Sequence, residues 1–316
     1  RPYGMAHLLL QPTLYPTPHP YSWPVIGSQK DLDEADLEDI KNFFRRYYSP
    51  SNASLSIAGD IDKDVTRIMI ERYFADIPPG PAINRVGRMD SSLKGEVRMD
   101  LRDKVQLPRL SLVWPSGPMF SNDEVPLDIL AAVLGDGKSS RLFNTLVYKK
   151  QLARDVSVSS YMQEIAGEFE IQITANPTNS LEEIEDLVEA ELHKLRTEPP
   201  TGHEIERAIN RIESHHIRNL ERIGGFGGRA DQLNHYNVFS KDPGLVNTDI
   251  ERYKRVAGSD IVRVANDVLG ENRVRLSVLP EQEASQSETS VDRSEMPKAA
   301  EHGVYVPSVP QRAELD

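Results

Sequence analysis

The chain has 316 residues, 38% hydrophobic and 27% charged, the proportions of a globular protein with room for two cores. A formal net charge of −12, with no clustered basic stretch, argues against a nucleic-acid partner, because phosphate binding needs a concentrated basic surface. No apolar run approaches the roughly 20 residues that span a bilayer, and the absence of cysteine removes disulfides, thiolate metal ligands and thiol nucleophiles.

Residues 1–14 (RPYGMAHLLLQPTL) read as the tail of a helix. Pro16, Pro18, Pro20 and Pro24 make 15–24 an extended loop, since each proline fixes its own φ and disfavours helix just before it. The rings of HPYSW should pack that loop against itself. A helix is predicted from Asp33 to Tyr48, with Leu37, Ile40, Phe43, Phe44 and Tyr47 at three- and four-residue spacing and Pro50 beyond its end. Ala53, Leu55 and Ile57 alternate with Ser54 and Ser56, which predicts a strand. Asp62 can cap a further helix carrying Val65, Ile68, Met69 and Tyr73. From Pro81 to Val105 the chain lacks apolar periodicity and reads as an interdomain connector.

A second unit starts near Gln106. A strand through Leu110 and Leu112 leads to a capping box, Ser121-x-x-Glu124, and a helix with Leu127, Leu130, Val133 and Leu134. The stretch 135–160 (GDGKSSRLFNTLVYKKQLARDVSVSS) is a helix-to-strand corner, and GEFEIQITA continues it as a hairpin strand with one solvated face. Capping boxes at Ser180-x-x-Glu183 and Thr201-x-x-Glu204 open two helices, the second bent by GGFGG at 224–228.

Residues 39–57 align without a gap to residues 260–278. Phe43 matches Val264, Tyr48 matches Leu269, and Ala53, Leu55 and Ile57 match Val274, Leu276 and Val278. Each segment is a helix, a tight break and a half-buried strand, so the chain reads as two copies of one α+β domain, the first incomplete. Roughly 116 residues are then expected upstream of Arg1.

The corner, with SSRL, a helix, a short basic connection and an Ala-led strand, resembles the second domain of M16 (insulinase or pitrilysin-like) zinc peptidases. RPYG…HPYSWPVIGS resembles the segment after the third zinc ligand in the first domain of that family. The resemblance implies two M16-type (LuxS/MPP-like) α+β domains, each an antiparallel or mixed sheet packed against helices. Residues 1–80 would be the C-terminal part of a truncated first domain and 81–105 a connector. Residues 106–280 would be a complete second domain, and 281–316 a disordered linker towards a further repeat.

The family's inverted motif, His-x-x-Glu-His, binds zinc and activates water for peptide hydrolysis; it is absent here, so neither catalytic nor metal residues are assigned to this chain. His215 and His216 are adjacent and diverge by about 100° on a helix. His7, His19, His193, His203, His235 and His302 have no partner at ligand spacing. Family domains that grip substrate carry an arginine and, seven residues later, a tyrosine; Val147 and Arg154 stand at those places. Lys149, Lys150 and Arg154 form a basic corner.

The resemblance therefore implies a non-catalytic segment, inactive alone, of a metallopeptidase that cleaves peptides in a clamshell chamber, with this part as wall and hinge. Zinc belongs to the complete protein, and the partners are a peptide substrate and the remaining M16 domains. The alternative is a non-catalytic homologue acting as a structural or partner subunit. The bacterial periplasm is the expected compartment, from relatives that work there.

Overall fold

The computed structural model describes residues 2–281; the tail expected to lead towards a further repeat lies outside the described residues. Helix α1 (Gly4–Leu14) runs into the proline-rich loop. There Tyr15, His19 and Tyr21 stack on one another, with ring centroids 4.4–5.7 Å apart, as the ring content predicts. The helix expected from Asp33 is two helices, α2 (Gln29–Glu34) and α3 (Leu37–Tyr47). The break has a local cause. Asp36 accepts the N–H groups of Glu38 and Asp39, and Asp39 accepts that of Asp36, so a new capping box starts there. Helix α4 (Lys63–Phe74) is capped by Asp62, as anticipated.

Between α3 and α4 the predicted strand at 53–57 does not form. Leu55 is 59% and Ile57 42% exposed. A strand needs a neighbour for its N–H and C=O groups, and among the described residues none pairs with this one. No residue of α2, α3 or α4 is buried.

The stretch read as connector contains strand β1 (Glu96–Asp103). Val97, Met99 and Leu101 do alternate there, but with charged residues at the intervening positions. β2 (Arg109–Ser116) follows, then α5 (Glu124–Gly135), then α6 (Arg141–Phe143), which continues as a π-helical turn over Asn144–Lys149. β3 (Ala153–Met162) and β4 (Gly167–Ala175) form the expected hairpin. The remaining elements are α7 (Leu181–Thr197), α8 (Gly202–Glu221), α9 (Arg229–Phe239), α10 (Ile250–Lys254), α11 (Gly258–Asp267) and β5 (Arg273–Pro280). GGFGG ends a helix rather than bending one: α8 stops before it, and Gly225 and Gly227 take left-handed φ of 79° and 73°.

The five strands lie in the order β1-β5-β2-β4-β3, with β1 parallel to β5 and the other pairs antiparallel. This is the mixed alternative of the expected α+β fold. On one face Leu110, Leu112 and Trp114 sit across from Ile173, Ile171 and Phe169, all fully buried with Leu127, Leu130 and Leu134 of α5 and Ile184 and Val188 of α7. Each such side chain contributes about 1.5–3 kcal/mol through burial. The opposite face, expected to be solvated, is partly covered: Leu14 and Tyr15 pack on Val113 and Val274, and Thr174 of β4 is buried.

Beside β5 the apolar core gives way to charge. Glu185 of α7, 5% exposed, accepts from Arg273 at 3.1 Å, Arg275 at 3.0 Å and Arg98 at 3.0 Å. Arg273 also reaches Glu96 at 2.6 Å and pairs with Glu189. Such a group is tolerated in a core only because every charge has a counter-charge and a directed hydrogen bond.

The two matched segments share a pattern but not an environment. Ile261, Val264, Leu269, Val274, Leu276 and Val278 are buried, whereas Ile40, Phe43, Tyr48, Leu55 and Ile57 are 42–69% exposed. Of the three expected capping boxes, Thr201/Glu204 is complete, and Ser180 caps α7 through the N–H groups of Glu182 and Glu183. Ser121 does not cap α5, because Glu124 instead takes the N–H of Phe120 at 2.8 Å.

Gly135 closes α5 directly against β3. A Cβ there would lie 2.3 Å from Cγ2 and 2.7 Å from the backbone N of Val158. The Gly135→Ala variant is expected to lose about 1–3 kcal/mol in urea unfolding, since a backbone contact cannot yield as a flexible side chain would. Unchanged stability would show that the helix and strand separate at little cost.

Candidate functional site

The corner between α6 and β3 holds both positions singled out by the family resemblance. Its backbone is fastened by two asparagines. Asn176 donates to the Gln151 carbonyl at 2.7 Å and Asn179 to the Leu152 carbonyl at 3.0 Å, which holds Gln151 at a left-handed φ of 55°. Val147, in the π-helical turn, packs against the apolar core. Arg154 is exposed and sits at a bulge, where the β3–β4 register shifts between Ala153 and Asp155. A bulge re-aims its extra residue, so Arg154 stands outside the ladder that positions its neighbours. The corner thus does not bring Val147 and Arg154 together as a polar pair. Lys149, Lys150 and Arg154 are exposed and make no ion pair among the described residues.

Four of the eight histidines have neighbours that bear on a site, and His302 lies outside the described residues. His19 is 3% exposed; its Nδ1 accepts the N–H of Tyr21 at 3.0 Å and its Nε2 lies 2.9 Å from the Met89 carbonyl. Both ring nitrogens are therefore committed to backbone groups. His216 Nε2 meets the Val246 carbonyl at 2.9 Å. His215, His216 and His235 share one cleft between α8 and α9, a convergence that sequence spacing did not suggest. Even so, no group of three His, Asp or Glu side chains placed to hold a metal ion occurs among the described residues. These residues do not fit the zinc ion that the family implies, and no step of metal chemistry is assigned to them.

Two carboxyl groups are held well above their ordinary range by burial. Glu168 of β4 is pushed up to about 7, with Glu170 adding repulsion. Asp128 of α5 is pushed up to about 6, although Tyr253 donates to it at 2.8 Å. Glu168 stands opposite Tyr161 in the β3–β4 pair, and Asp128, with its Tyr253 partner, lies within the helical layer. A third concentration of charge was not legible from spacing: Arg88, Arg252, Arg255 and Arg263 line one cleft.

The described residues form a sheet-and-helix domain of the expected α+β class, and similarity to known proteins agrees with this class. The chain belongs to the M16 peptidase family: the profile described as "Peptidase M16 inactive domain" matches residues 34–212, more than half of it. Zinc protease PqqE of Helicobacter pylori is 30% identical over 275 residues, covering 84% of this chain. The chain spans 60% of that relative's length. Among solved structures, a protease from Helicobacter pylori superposes with a TM-score of 0.76 at 26% identity, over 88% of this chain and 67% of that one. A chain of complex III2 from Candida albicans has the same fold, with a TM-score of 0.70 at 14% identity over 87% of this chain and 65% of its own.

Proposed function

We propose that this chain is the supporting, non-catalytic part of an M16-type zinc metallopeptidase, forming wall and hinge of a chamber in which peptides are hydrolysed. The observation that carries this reading is the contrast between the two matched segments. Residues 260–278 bury their apolar positions under a sheet and helices, while residues 39–57 carry the same pattern and expose it. An apolar face of that size is built to be covered. The occupant is the remainder of the first M16 domain, which would also carry the zinc ligands. The relatives' greater length and their description as zinc proteases support the same reading.

Within such a protein these residues shape and close the chamber, and the metal-dependent step belongs to the residues that complete the first domain. Where the substrate-gripping family members have arginine and tyrosine, Val147 and Arg154 leave the corner without that pair, so a further M16 domain or a partner subunit would supply the grip. We place the protein in the bacterial periplasm, which release by osmotic shock would test.

The 316-residue chain by itself is expected to bind less than a tenth of an equivalent of zinc, measured by elemental analysis after dialysis, because a zinc site needs three or four convergent ligands. It should cleave no peptide. The protein isolated from its source should contain about one zinc per polypeptide and lose peptidase activity to a chelator. Chelator-sensitive cleavage by the chain alone would overturn the assignment. An isolated whole protein with neither zinc nor activity would establish the structural-subunit alternative.

A further inference from the structure

We propose that the cleft at the N-terminus of α5 is a binding site for the carboxylates of an acidic peptide segment. The proposal rests on the peptide-handling reading only for the choice of ligand. The cleft encloses about 760 Å³ and is lined by four arginines, Arg88, Arg252, Arg255 and Arg263, against two carboxylates, Asp123 and Asp260. Glu124, Asp249 and Asp90 pair with the same arginines, so the cleft offers directed guanidinium donors rather than a net positive charge.

Two of the arginines form a fixed frame. Arg252 is clamped by Glu124 at 2.8 Å and Asp249 at 2.9 Å and lies 5.6 Å from the centroid of the Phe120 ring. Arg263 is held by Asp123 at 2.6 Å. The other two are available. Arg255 makes no ion pair among the described residues, and Arg88 contacts only Asp90, two residues away, at 2.9 Å.

One polar group at the cleft lacks a partner. Asp123, at the N-cap of α5, makes no side-chain capping hydrogen bond, and its carboxylate stands with that of Glu124 at the positive end of the helix. Ser121, which also lines the cleft, has no partner for its hydroxyl. Phe120 is held at a left-handed φ of 60°, a strained geometry for an aromatic residue, and its N–H is tied to Glu124. Strain maintained by a hydrogen bond at a cleft rim is a mark of a shaped binding surface rather than of loose packing.

The lining selects among anions. Asp123 and Asp260 would repel a dense dianion such as phosphate, and Val125, Pro126, Val256 and Phe120 offer apolar contact. An extended peptide with one or two carboxylates satisfies both. The volume lies within the range of ordinary ligand pockets, about 300–1,000 Å³.

The test uses the 316-residue chain and a rhodamine-labelled peptide carrying two adjacent glutamates, read by fluorescence anisotropy at low salt, beside the same peptide with glutamines. Binding of the glutamate peptide alone, weakened about fivefold by Arg255→Gln and further by the added Arg88→Gln, is the expected result. K149Q/K150Q, at the other basic corner, should leave binding unchanged, and circular dichroism should show all variants folded. Equal binding by R255Q, loss of binding in K149Q/K150Q, no binding of either peptide, or displacement by inorganic phosphate at the peptide's own Kd would each overturn the proposal. Zinc content and peptidase activity are measured separately, so failure here leaves the family-level function standing, and the reverse also holds.

Discussion

Replacing Glu185 by alanine is expected to lower the unfolding free energy by about 3–5 kcal/mol, among the largest effects of any single change in this chain. The side chain is 5% exposed and is the acceptor shared by Arg273, Arg275 and Arg98. Its removal leaves the buried guanidinium groups of Arg273 and Arg275 facing one another with reduced counter-charge, and the cost of desolvating them is no longer offset. Alanine at Glu38, an exposed partner of Arg45, should cost less than about 1 kcal/mol. Urea unfolding of the two variants decides the point. If both lose less than 1 kcal/mol, water reaches the network and the charges beside β5 are solvated.

The second large effect is a pH dependence of opposite sign to that of most acidic proteins. The folded state holds the Glu168 carboxyl at about 7, above its ordinary value of 4.5, so folding binds a proton that the unfolded chain has released. The contribution of this group is fully present below about pH 4.5. It is lost as pH rises towards 7, by about 3 kcal/mol at 1.36 kcal/mol per pKa unit. Asp128, held at about 6 against 3.8, acts in the same direction over a lower window. Glu204 acts oppositely: Arg141 holds it at about 2, and its contribution is lost as pH falls through that value. The difference between wild type and Glu168→Gln isolates the effect. The variant should gain relative stability between pH 5 and 7.5 in urea titrations. Parallel profiles would mean that Glu168 is ionised in the folded protein.

Legibility from sequence followed the balance between local and non-local causes. α5, α7, α8 and the β3–β4 hairpin were readable because their periodicity and, for α7 and α8, their caps lie within the element itself. β1 was missed although Val97, Met99 and Leu101 alternate, because every intervening residue is charged and its partner, β5, lies about 180 residues away. The converse error occurred at 53–57, where the pattern was right for a strand and the neighbours were absent.

At the candidate sites the same division holds. The corner around Val147 and Arg154 was recognisable as a contiguous stretch, but the bulge that sets Arg154 apart depends on its pairing with β4. The arginine cleft joins residue 88 to residues 252–263, and only folding brings them together. His19 could be placed in the loop from sequence, while the commitment of its two nitrogens needed Met89.

The position of β5 in the sheet also fixes the order in which the chain can fold. It is the last of the described strands in sequence yet lies between β1 and β2, so among the described residues β1 has no hydrogen-bonding partner until residue 280 has been made. α1 likewise waits for the Val274 and Leu276 surface it covers. At about 5–20 residues per second, the nascent chain carries an unpaired strand and an uncovered apolar helix for tens of seconds. The β2–β4–β3 meander with α5 can form earlier, from contacts closer in sequence. Completion of the sheet therefore waits for β5, and until then β1 and α1 stay without their partners.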